Sequence, residues 1–175
     1  DALTQRLGAM VLPKGGFTAA ARADALARLR AMGLPHPRDE YWRYTDPSDL
    51  TSPLAVPAAT FDAGDEAPLF DAIDRLTLVF VDGVFDPAVS DDPKLAGVEI
   101  ERLPQAGLAD IHWARDLYGV LEARGQSPVQ RPLAALNTAF ATDGLLIRVT
   151  GKPSRPVHVL HRRGSDRADA VWHHV

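Results

Sequence analysis

A chain of 175 residues, 46% of them apolar, is long enough to bury a core and predicts one domain with at most an appendage. Its net charge of −4 leaves no overall basic footprint for nucleic acid, and Arg162-Arg163 is too short to make one. No window reaches the roughly 18 consecutive apolar residues of a membrane helix, the first residues lack the basic and apolar regions of a signal peptide, and cysteine is absent, so the expected location is cytoplasmic and thiol chemistry is excluded.

Residues 1–17 contain Pro13, Gly15 and Gly16 with only a short apolar cluster, and predict no definite element. Thr18 then caps a helix to about Met32, rich in the best helix former: Ala19, Ala20, Ala21, Ala23, Ala25 and Ala27. Leu26, Leu29 and Leu34 form its apolar stripe, Arg22, Asp24, Arg28 and Arg30 fall mostly on the other side, and Gly33 with Pro35 ends it. The stretch His36–Leu50 concentrates Tyr41, Trp42 and Tyr44 among charges. It reads as a short helix from Pro37 whose rings anchor it to the core, with a partner-binding surface as the other reading. Asp39 and Glu40 are neighbours, about 100° apart on a helix, and so do not make a paired acid/base site unaided.

Pro53, Pro57 and Pro68 mark residues 51–68 as a loop or linker. The run Leu76–Val81 followed by Asp82-Gly83 and Val84-Phe85 predicts a hairpin, because Asp-Gly supplies the positive φ angles of a tight two-residue turn. Asp82 is therefore a turn residue in this reading. Val98–Leu103 alternates like a third strand. From Leu108 to Ala123 the spacing of Leu108, Ile111, Ala114, Leu117, Tyr118 and Leu121 predicts a helix, with Gly119 inside it and Gly125 after it.

At Leu133 the helical period returns in Leu133, Leu136, Ala139 and Phe140, with Pro132 suited to a first turn and Asp143-Gly144 as a stop. The chain then switches to strands: Leu145–Val149, a turn at Gly151–Ser154, Val157–His161 and a further strand at Ala170–Val175. A strand ending a chain leaves unpaired backbone groups, so the expectation is that more chain follows.

Few chemical motifs survive inspection. Gly151-Lys152 resembles the end of a phosphate-binding loop, but Leu146 and Pro153 stand where a glycine and a Ser or Thr are needed. Ser127 lacks the second glycine of a nucleophile elbow. His158 and His161 point to opposite faces of a strand, and the neighbours His173 and His174 also diverge, so these four meet at a metal only by converging across stacked strands. A site assembled from scattered residues such as Asp39, Glu40, His112 and Arg115 would make the chain a free-standing α/β enzyme. A protein-interaction module displaying Tyr41, Trp42 and Tyr44 is a further alternative.

Four segments in order carry a resemblance: Gly33-Leu34-Pro35; Glu40-Tyr41-Trp42-Arg43-Tyr44-Thr45, similar to a family segment E-x-W-[KR]-Y-T; Val81-Asp82-Gly83-Val84-Phe85; and Leu136-Asn137-Thr138-Ala139-Phe140 followed by Asp143-Gly144 and a strand. The chain resembles the N-terminal part of the SufD family of iron–sulfur cluster assembly proteins. The resemblance implies an α+β fold, with residues 1–132 a helical and α/β region and residues 133–175 a helix and the first rungs of a right-handed parallel β-helix cut short at the end. It further implies a non-catalytic scaffold subunit that pairs with a SufB-like paralogue and carries a SufC-like ATPase, in a complex that handles the iron–sulfur cluster. The family's partner and cluster residues lie further on, so no catalytic, cofactor-binding or metal residue is assigned in this chain.

Overall fold

The computed structural model of the chain describes residues 1–54, 57 and 69–166. The expected final strand, with His173 and His174, lies outside the described residues, as does most of the 51–68 loop. The architecture is α+β: a helical layer packed against two small sheets.

The helical layer is built from α1 (Ala2–Gly8), α2 (Ala19–Met32) and α6 (Pro132–Phe140), with the one-turn α3 (Ser48–Thr51) following α2 in sequence. The leading segment thus holds a helix where the sequence predicts none; Asp1 caps it, its carboxylate accepting from the Thr4 N–H at 2.7 Å. Helix α2 follows the sequence reading, and alanine explains more than its propensity. Ala25 and Leu29 bury against Ala135, Leu136, Ala139 and Phe140 of α6, and small side chains let the two axes approach. Leu3 and Leu7 of α1 close the rim of this cluster. Thr18 and Arg22 depart from expectation. Thr18 makes no cap hydrogen bond to the helix backbone, and Arg22, placed on the polar side by periodicity, is only 3% exposed. Arg22 Nε donates to Thr18 Oγ1 at 3.0 Å and Nη1 to the Ala139 carbonyl at 2.9 Å, and the guanidinium lies over the Tyr118 ring. A helix end that would otherwise bury an orphan carbonyl has recruited a cation as its cap.

The first sheet has the order β2 (Val84–Phe85), β1 (Leu76–Val81), β5 (Val157–Arg162). Asp82 (φ 50°) and Gly83 (φ 80°) form the two-residue turn, which sets Val81 opposite Val84 and Phe80 opposite Phe85. Strands β1 and β5 pair in parallel over six residues, Leu76 with Val157 through Val81 with Arg162. The other edge of β1 is satisfied beyond β2 as well: the Val79 N–H donates to Ser90 Oγ and the Thr77 N–H to Asp91 Oδ2. The second sheet pairs β3 (Glu99–Arg102) antiparallel with β4 (Leu145–Arg148). Strands β4 and β5, consecutive in sequence, therefore belong to different sheets.

The two sheets face each other. Leu76, Leu78, Phe80 and Phe85 meet Leu145, with Ile100, Ile147, Val157 and Val159 around them. The opposite face of β4 presents Leu146 to a third cluster of Phe17, Leu103, Ala106, Ala114, Tyr118 and Ala141. Leu145 and Leu146 thus point to opposite sides of one strand, and both are buried because the second sheet is covered on both faces.

The predicted helix over Leu108–Ala123 is corrected. Helix α4 (Leu103–Ala106) ends before this segment begins, a 3₁₀ turn occupies Trp113–Asp116 and α5 (Val120–Arg124) closes it, with Gly119 at φ 75° dividing the last two. Ala114 and Tyr118 reach the core as expected, but Ile111 and Leu121 stand 90% and 82% exposed. Leu108 and Leu117 are exposed as well, so only two of the six spaced residues reach the core in a chain that breaks into short turns.

Candidate functional site

Most buried charge in the described residues serves to tie elements together. Asp143, expected only as a helix stop, is buried: its Oδ2 accepts from the Phe85 N–H at 2.9 Å and pairs with the Arg102 guanidinium, which lies over the Phe85 ring. One carboxylate thereby joins the end of α6 to both sheets. Arg28 of α2 grips Glu122 of α5 through two nitrogens, and Gln126 donates to the same carboxylate. The Asp82 carboxylate accepts from the Gly164 N–H at 3.0 Å, fastening the hairpin turn to the end of β5. That hydrogen bond first, then the Ser165 hydroxyl, holds the carboxyl below its usual range.

The residues proposed for a scattered active site are not brought together. His112 caps the 3₁₀ turn, its Nδ1 accepting from the Ala114 N–H at 3.1 Å, which leaves Nε2–H to donate to Glu101 at 2.9 Å while the ring stacks on Phe17. Arg115 projects to solvent. Asp39 accepts from the His36 N–H, and no hydrogen bond or ion pair among the described residues links Asp39 or Glu40 to His112 or Arg115. Gly151 and Lys152 lie in the exposed connection between β4 and β5, as the turn reading requires.

The histidines of β5 fall on opposite faces. His161 shares the inward column of Leu76, Leu78 and Phe80 and stacks on Phe80 at 5.3 Å, and this partial burial pushes its imidazole below the ordinary value. His158 faces the other way, edge-on to Phe70. Among the described residues no three His, Asp or Glu side chains gather where a metal ion could be held.

The segment between Pro35 and Pro47 is where the structure departs furthest from expectation. Both prolines are buried, but the aromatics between them do not fill the core. Glu40–Trp42 forms a 3₁₀ turn; Tyr41 is 57% and Tyr44 90% exposed, and only Trp42 is half-buried. Tyr41 carries the Arg131 guanidinium at 5.1 Å from its ring centre, and Tyr44 that of Arg43 at 5.5 Å. The anchor reading fails because the turn is too short to present a continuous apolar stripe, so the flanking prolines do the anchoring instead.

The fold and these polar groups define an α+β chain whose charges act as staples between layers and which displays an aromatic turn on its surface. No family model matches it. It is similar to the iron–sulfur cluster assembly protein SufD of Escherichia coli (strain K12), with 30% identity over 149 residues, covering 78% of this chain and 33% of that protein. The chain thus spans about a third of the length of the curated relative it matches. No helix among the described residues is long and apolar enough to cross a membrane.

Proposed function

We propose that the chain forms the front portion of a SufD-like scaffold subunit in an iron–sulfur cluster assembly complex of the SufB–SufC–SufD type. The observation that carries this is the similarity to Escherichia coli SufD along most of the chain. The in-register parallel pairing of β1 with β5 supports it. Val157, Val159 and His161 extend the inward ladder of Leu76, Leu78 and Phe80 by one strand, and a parallel β-helix grows by repetition of that step.

In this reading residues 1–132 are the helical and α/β front region and residues 133–175 lead into a right-handed β-helix. The subunit works by positioning. Its SufB-like paralogue docks along the β-helix, a SufC-like ATPase binds further along the protein, and the cluster is cargo of the cytoplasmic complex rather than a cofactor of this chain. Chemistry resides in the assembly, and the present residues keep the leading strands rigid and in register. Affinity purification of the tagged full-length protein at low salt tests this directly. Stoichiometric recovery of the SufB-like and SufC-like subunits is the expected result, and recovery of the protein alone rejects the scaffold.

A further inference from the structure

We draw no further inference here: the strongest candidate, the Arg75 and His158 side chains at the start of β1 and β5, whose Arg75 Nε and Nη1 and His158 Nδ1 lie buried without a hydrogen-bond partner, carries nothing because Arg75 is already paired with Asp71 at 3.1 Å, no hydrogen bond or ion pair among the described residues joins it to His158, and nothing in the structure shows what ligand they would meet.

Discussion

Arg22 shows how one residue can reverse its apparent role. Its guanidinium is buried without an acid beside it, and burial pulls its pKa down, yet it satisfies Thr18 and the Ala139 carbonyl at the junction of α2, α6 and Tyr118. Arg22→Ala removes two hydrogen bonds and opens a cavity, and should cost about 2–4 kcal/mol in urea unfolding. Arg22→Met fills the volume without the charge and should cost less. Tyr118, whose hydroxyl donates to the Thr138 carbonyl at 2.8 Å, ionises late: burial pushes the phenol up to about 12, against a smaller opposing pull from Arg22. Because the folded value lies above the unfolded one, the stability linked to this proton is whole below pH 10 and is lost as pH rises through 12. An ultraviolet titration should show a late tyrosinate phase that Tyr118→Phe lacks. Nothing in the sequence marks Arg22 as buried, since its position on the helix wheel is the polar one and the Ala139 carbonyl and Tyr118 ring that it meets lie far along the chain.

At the scale of elements, glycine separates what periodicity could read from what it could not. The helices at Ala19–Met32 and Pro132–Phe140, the Asp82-Gly83 hairpin and the strands at Leu76–Val81 and Leu145–Arg148 were legible because local period and turn chemistry agree there. Residues 108–123 misled because a helical spacing of apolar residues was interrupted by Gly119, which adopts φ 75° and whose missing Cβ would stand 3.0 Å from Thr138 Cγ2. Gly119→Ala should therefore destabilise by about 1–3 kcal/mol in thermal unfolding, where a glycine in a true helix interior would have gained from the change. The pairing of the strands has a kinetic signature too. With both edges of β1 hydrogen-bonded, its amides should exchange slowest with deuterium, and those of the exposed 149–155 connection among the fastest.

For the molecule as a whole, cohesion rests on a few long-range staples between layers. Asp143 is the most connected of them, and Asp143→Ala leaves the Phe85 N–H and Arg102 without their acceptor. A loss of about 2–3 kcal/mol is expected, discounted for the partial exposure of Arg102, with helices and sheets still melting in one transition by circular dichroism and fluorescence. Separate transitions would mean that the layers fold independently and that the carboxylate is a local feature only.

The sequence by itself determined the main helix and strand segments and the hairpin turn, because each follows from interactions between near neighbours. Only the tertiary structure decided that β5 joins β1 rather than β4, that Arg22 goes inward, and that Tyr41 and Tyr44 stay outside. Those outcomes depend on which distant surfaces meet. An aromatic residue or an arginine has the same local preference in either place, and the free energy that chooses between them comes from partners far along the chain.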